Sequence, residues 1–235
     1  METNGTKLPG KIPKGLLSCL IMVILFACSD QPDNRANTTT QPKHPIKAAY
    51  EGTIIVLGDS LTAGLGVAEK EAYPALLEKE LQRNGINWRV INAGTSGETS
   101  SGALSRTGWI IAQQPDIVIL ETGANDGMRG IPIKVIKENI KRIVRLFKEA
   151  NVEVVLAGMQ MLQNLGPGYT EDFAAIFPEV AAEQEIILVP HFLEKVGGDP
   201  SLNQRDAIHP NREGHRILAQ TVYPYVVQAI QQAQK

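Results

Sequence analysis

"TIIVLG", residues 53–58, is an apolar, β-branched run that breaks at once into Gly58-Asp59-Ser60 and a glycine-punctuated loop, "VLGDSLTAGLGV" at 56–67. A near-continuous apolar run suits a strand buried on both faces rather than one with a wet side. Four more runs follow: "WRVINA" (88–93), "DIVILETG" (116–123), "VEVVLAGM" (152–159) and "EIILVP" (185–190). Helical patterns lie between them. Residues 132–150 place Ile133, Ile136, Ile140, Ile143, Val144 and Phe147 on one stripe, with lysines and arginines opposite. Residues 211–232 repeat the arrangement with Ile217, Leu218, Thr221, Val222, Tyr225, Val226 and Ile230. Buried strands alternating with amphipathic helices specify an α/β fold: a three-layer α/β/α sandwich with a five-stranded parallel sheet, spanning residues 53–235.

In such a sheet, right-handed crossovers bring every strand's carboxyl end to one edge, where ligands bind. The five runs are followed by Gly58-Asp59-Ser60, "GTSGETSSG" (94–102), "GANDG" (123–127), "MQMLQNLGPGYT" (159–170) and, after a longer loop, "DAIHPNREGH" (206–215). Each ending is rich in glycine or polar groups. Ser60 is the candidate nucleophile; the alternative is a plain tight turn, since Gly, Asp and Ser are all turn formers. A serine hydroxyl needs a base, and the base needs an orienting group. Asp206 and His209, three residues apart and closed by Pro210, fit those roles; capping of the last helix falls instead to Asn211. His191 follows the fifth run but has no carboxylate at comparable spacing, and His44 lies outside the domain. Asp59, adjacent to Ser60, pins its own turn. The Ser60 and Gly94 backbone N–H groups and the Asn125 side chain are candidate oxyanion donors, with Gly94 allowing close backbone approach to a substrate. The alternative for Asn125 is an Asx turn. No dedicated metal site is expected, because no histidine pair stands at ligand spacing.

"GDSL" at 58–61, Gly94 in "NAGTSGETSSG", Asn125 in "GANDG" and Asp206/His209 in "DAIHPN" match, in order, the four sequence blocks of the SGNH, or GDSL-type, hydrolases. The chain resembles that family over roughly residues 53–235. Within it, "AYPALLEKEL" (72–81), "GANDGMRG" (123–130) and "NLGPGYTEDFAAIFPEVA" (164–181) resemble the bacterial thioesterase I, arylesterase and lysophospholipase branch. The resemblance implies a flavodoxin-like fold and no cofactor. It also implies Ser60 as nucleophile, Asp206 with His209 as the base pair, and Ser60, Gly94 and Asn125 as the oxyanion hole. The G-x-S-x-G elbow of other serine hydrolases is absent around Ser60.

Met159, Leu162 and Leu165 after the fourth run, with Met128 after the third, suggest an apolar, adaptable wall for an acyl chain; packing of the sheet end is the alternative. The expected reaction is hydrolysis of acyl esters or thioesters through an acyl-enzyme, with small acyl esters or lysophospholipids as substrates. A carbohydrate or peptidoglycan O-acetylesterase on the same triad, and a non-catalytic binding lipoprotein, are the rivals.

The N-terminal residues have a different character. Lys7, Lys11 and Lys14 precede "LLSCLIMVILFA" (16–27), too short for a bilayer span but matched to a signal-peptide core. "LFAC" (25–28) resembles a bacterial lipoprotein signal, although Phe26 is larger than usual at its position. The expectation is a signal peptide over 1–27 and a lipidated Cys28. A Pro-punctuated polar tether then runs to residue 52, with a reach of roughly 25–30 Å. That arrangement implies an exported protein anchored to a membrane, on the periplasmic side of the outer membrane where the source has two. With a net charge of −2 and scattered basic residues, no nucleic-acid partner is expected.

Overall fold

The computed structural model describes residues 49–161 and 166–234. The expected signal peptide, Cys28, most of the tether, Leu162 and Leu165 lie outside the described residues.

Among the described residues, strands β1 (Gly52–Gly58), β2 (Trp88–Gly94), β3 (Ile117–Leu120), β4 (Glu153–Ala157) and β5 (Ile187–Val189) form one parallel sheet. Its order is β2-β1-β3-β4-β5. Ile54–Leu57, Ile117–Leu120 and Val154–Ala157 are buried on both faces, which is why their sequences do not alternate. Helices α2 (Tyr73–Arg83) and α7 (Arg212–Ala233) pack together against one face. Helices α3 (Ser100–Ile111), α5 (Ile133–Glu149) and α6 (Pro167–Gln184) cover the other. Ile136, Ile140, Ile143, Val144 and Phe147 carry the α5 stripe into the core. Asn211 caps α7, its Oδ1 accepting the N–H groups of Glu213 and Gly214.

The register sets the functional edge. Gly58 pairs with Gly94, Leu57 with Leu120, Leu120 with Leu156, and Leu156 with Leu188. The carboxyl ends of all five strands are therefore level.

Several strands are shorter than their apolar runs. β3 stops at Leu120 although the run continues to Gly123; Gly123, at φ 102°, turns the chain into the short helix α4 (Ala124–Met128). β5 starts only at Ile187, because Glu185 caps α6 in the left-handed region at φ 53°. Met159, expected in the acyl wall, instead belongs to the buried core at 3% exposure. It follows β4 so closely that the covering helix layer encloses it.

Candidate active site

Ser60 is the first residue of α1 (Ser60–Ala63), a single turn that starts directly after β1. Asp59 Oδ1 accepts the Leu61 N–H at 2.9 Å and caps that turn. Gly64, at φ 75°, ends it. The Ser60 N–H, at the first helical position, has no intrahelical acceptor.

His209 arrives from the far end of the chain. Its Nε2 lies 2.9 Å from Ser60 Oγ, and its Nδ1 lies 2.7 Å from Asp206 Oδ2. Asp206 Oδ1 accepts the backbone N–H groups of Ile208 and His209 at 2.9 and 3.0 Å. One carboxylate thus folds its own turn and fixes the imidazole with its second oxygen. The His209 and Ile208 N–H groups, with the His209 ring, hold the Asp206 carboxyl down at about 2. Asp206 is therefore anionic at any working pH and keeps a proton on Nδ1, which leaves Nε2 free to accept from Ser60.

The turn needs Ala207 in the left-handed region at φ 59°, a conformation costing an alanine roughly 1–2 kcal/mol. Gln204 helps hold it. The Gln204 N–H donates to the His209 carbonyl at 2.8 Å. The Gln204 side-chain amide donates to the Leu65 carbonyl at 2.6 Å and the Pro210 carbonyl at 3.0 Å. Gln204 thereby ties the histidine turn to the loop after the serine.

Asn125 lies in the first turn of α4 and is 8% exposed. The Asx turn considered for it does not form. Its Nδ2 donates to Asp59 Oδ2 at 2.9 Å, leaving the second amide hydrogen for another acceptor. Asp59 thus does more than pin its turn: it also aims Asn125.

Gly94 is required by close approach, but not for the reason its position suggests. A Cβ there would stand 2.1 Å from the Ala63 nitrogen, so the space belongs to α1 rather than to a substrate. The Gly94 N–H donates to Asn92 Oδ1 at 2.9 Å, and Asn92 Nδ2 donates to the Thr62 carbonyl at 2.8 Å. A substrate oxyanion would have to compete with Asn92 for that N–H.

Further residues tie the strand ends together. Arg106, paired with Glu98 at 2.6 Å, donates to the Ala93 carbonyl at 2.7 Å and the Gly58 carbonyl at 3.2 Å. Asp126 accepts from the Ser100 N–H at 2.7 Å and the Ser100 hydroxyl at 2.6 Å, locking α4 to α3. Nothing in their local sequence marks them, because each acts on backbone far away in the chain.

The other described histidines stand apart from Ser60. His191 meets Gln160 at 2.8 Å in an exposed position. His215 is 1% exposed, and its Nδ1 accepts the Tyr73 N–H at 3.3 Å. Burial, and secondarily the charge of His209, push His215 down to about 4. A histidine held neutral in the fold but free to protonate when unfolded contributes stability present above pH 6.5 and lost as pH falls toward 4. His215→Gln should flatten the decline in Tm across that window, read by thermal melts at pH 4 to 7.

Three of the large exposed apolar side chains lie close in sequence to the catalytic groups. Leu65, Met128 and Ile208, each 46% exposed, follow Ser60, follow Asn125 and precede His209. Leu65 and Ile208 carry no sequence signal beyond their neighbours. Gly127 faces Met161, so closely that a Cβ would come within 2.7 Å of its sulfur.

The chain is similar to known proteins over most of this domain. Residues 56–217 match the GDSL-like Lipase/Acylhydrolase family. The chain is 38% identical over 173 residues to esterase TesA of Pseudomonas aeruginosa, covering 73% of this chain and 86% of that one. It is 38% identical over 174 residues to thioesterase 1/protease 1/lysophospholipase L1 of Escherichia coli, covering 74% and 82%. The crystal structure of TesA superposes with a TM-score of 0.73 at 37% identity, over 75% of this chain and 99% of that one. The psychrotrophic esterase EstA from Pseudoalteromonas, in a form inhibited by monoethylphosphonate, gives 0.73 at 31% identity, over 77% and 100%. With the matched family spanning most of the domain and the relatives aligned over most of their own length, the chain belongs to the GDSL-like lipase/acylhydrolase family and is a serine esterase of the SGNH type.

Proposed function

We propose that this esterase cleaves medium-chain acyl esters, including lysophospholipids, through an acyl-enzyme on Ser60. The unbroken Asp206–His209–Ser60 chain of 2.7 and 2.9 Å hydrogen bonds carries the reading. His209 Nε2 takes the Ser60 proton as Oγ attacks the acyl carbon. The tetrahedral oxyanion that forms is met by Asn125 Nδ2 and the Ser60 N–H, with the Gly94 N–H joining once it leaves Asn92. His209 returns the proton to the departing alcohol, then activates the water that frees the acid.

Chain length is the open variable, and the exposed apolar Leu65, Met128 and Ile208, each close in sequence to a catalytic group, support an acyl group longer than acetyl. Each buried CH₂ contributes about 0.8 kcal/mol, so a few carbons raise kcat/KM by roughly tenfold or more. Across p-nitrophenyl esters, efficiency should rise from acetyl to hexanoyl or octanoyl. Met128→Asp should flatten the rise by lowering octanoyl turnover more than acetyl. If acetyl esters are the best substrates and Met128→Asp leaves the profile unchanged, the acetylesterase reading replaces this one.

The sequence of residues 1–28 supports export and anchoring through a lipid on Cys28, with the polar stretch after it holding the esterase domain near a membrane. Substrates with one acyl chain in that membrane would then be within reach. Cys28→Ser should move the full-length protein out of the membrane fraction, or leave it unprocessed, with ester turnover by the domain unchanged. Wild-type protein without acyl mass on its N-terminus would end the anchoring proposal.

A further inference from the structure

Beneath the Ser60 turn lies a second acid that the triad does not use. Glu121 follows the last residue of β3 and is 0% exposed. Its Oε2 accepts the Asp59 N–H at 3.1 Å and the Thr62 hydroxyl at 2.8 Å. Thr62 in turn meets the Tyr73 hydroxyl at 2.9 Å. Glu121 Oε1 is buried without a donor. A carboxylate so placed would leave a charged oxygen in the core with nothing to offset it, which buried groups avoid.

The neighbouring charges decide where a proton sits. Burial pushes the Asp59 carboxyl up as well, but it accepts the Leu61 N–H and the Asn125 amide, both of which favour its ionised form and neither of which Glu121 has. Glu121 lies against Asp59, whose N–H its Oε2 accepts at 3.1 Å, and each carboxyl acts on the other's ionisation. Two carboxylates cannot both stay charged in contact away from water, so the pair keeps one proton. The other charged or titratable groups around the pair are few. Tyr73 from α2 is itself pushed well up by burial and then by Glu121. His209 acts on Asp59 across the catalytic turn. His215 from α7 lies behind Tyr73 and is neutral at pH 7. Arg106 from α3 is paired with Glu98, and its Nη2 donates to the Gly58 and Ala93 carbonyls. None of them supplies a cation to Glu121 Oε1. Burial, then the charge of Asp59, pushes Glu121 well above the usual carboxyl range.

We propose that Glu121 is a positioning residue: it stays protonated in the folded enzyme, donates to the Asp59 carboxylate, and through Asp59 fixes both Asn125 and the Ser60 turn. The proton explains the orphaned Oε1, the one atom of the carboxyl without another partner. It also makes one connected path from the core to the oxyanion donor: Tyr73, Thr62, Glu121, Asp59, Asn125. No bond is made or broken at Glu121 during turnover. This inference deepens the catalytic reading of Asn125 and Ser60 and rests on it.

The test compares Glu121→Gln and Glu121→Leu with wild type by kcat and KM on a short-chain ester, and by Tm from pH 5 to 9. Glutamine keeps an acceptor for Thr62 and a donor for Asp59, so it imitates the protonated acid. Leucine keeps neither. Glu121→Leu should lose about tenfold or more in kcat with KM little changed, and Glu121→Gln should restore most of it. The Tm comparison is independent of any substrate. Above the ordinary glutamate value of 4.5, the unfolded wild type is ionised while the folded form holds its proton. Wild-type stability should therefore fall with rising pH, and the Tm of Glu121→Gln relative to wild type should climb. A pH-independent Tm difference, or a Glu121→Gln enzyme as impaired as Glu121→Leu, overturns the proposal. If Glu121→Leu does not fold, the glutamine variant and its Tm profile decide alone. Should wild type prove inactive on every ester, the esterase reading fails while the Tm comparison still judges the protonated pair.

Discussion

Replacing His209 or Ser60 with alanine should lower kcat by roughly 10⁶, and replacing Asp206 by roughly 10⁴, as triad members act as a unit. The geometry gives the reason for the ranking. Ser60 and His209 exchange the proton directly across 2.9 Å. Asp206 only orients the ring; its loss also releases the Ile208 and His209 N–H groups, but the Gln204 N–H still holds the His209 carbonyl at 2.8 Å. Steady-state kinetics on a purified domain, with Tm to verify folding, reads the effect. The double variant should be no worse than either single one. The pH profile carries a second signature. Asp206, held at about 2, remains anionic through the working range, so protonation of Asp206 does not limit activity there. The stability lost between pH 6.5 and 4 has a different origin, the burial of His215, and persists in His209→Ala melts.

Asn125→Ala should reduce kcat by roughly 10²–10³ with KM little changed, the loss typical of one oxyanion donor. The ground-state carbonyl gains little from the amide; the developing oxyanion gains much. Asn125 does not cap its helix and does not close an Asx turn, so alanine removes the oxyanion donor and the bond to Asp59 without unravelling α4. Its Nδ2 bond to Asp59 at 2.9 Å means that Asp59→Ala should reproduce part of the loss without touching the substrate, and should lower Tm by uncapping α1. A defect seen only in KM, or an unfolded Asn125→Ala protein, would contradict the oxyanion role.

These residues were legible in the sequence to very different degrees. The sheet was visible because strands buried on both faces must be apolar throughout, and three such runs, with two more β-rich runs and helical stripes between them, leave little choice of fold. The triad was visible because strand ends share an edge, so "GDSL" and "DAIHPN" could be placed together despite their separation in the chain. The one-turn helices α1 and α4 were not visible, since neither is long enough to show a period. Glu121 was hidden inside "DIVILETG". Its presence at the end of an otherwise apolar run was itself the signal, because an acid there must be paired or protonated. Gln204 and Arg106 gave no signal at all, because their partners are distant backbone carbonyls. Met159 was assigned to a substrate wall on composition, while its burial depended on how closely helices cover the end of β4. Gly94 was expected to leave its side-chain space to an approaching substrate. The neighbour that needs it is the nucleophile's own helix.

The account stands on Ser60 being the activated nucleophile, and covalent labelling tests that most directly. The protein is treated with a fluorophosphonate, digested, and the adduct located by mass spectrometry. One phosphonyl group per chain on Ser60 is expected, absent from Ser60→Ala and strongly slowed in His209→Ala. Labelling at a different serine, or none in a folded and soluble wild-type protein, would contradict the mechanism.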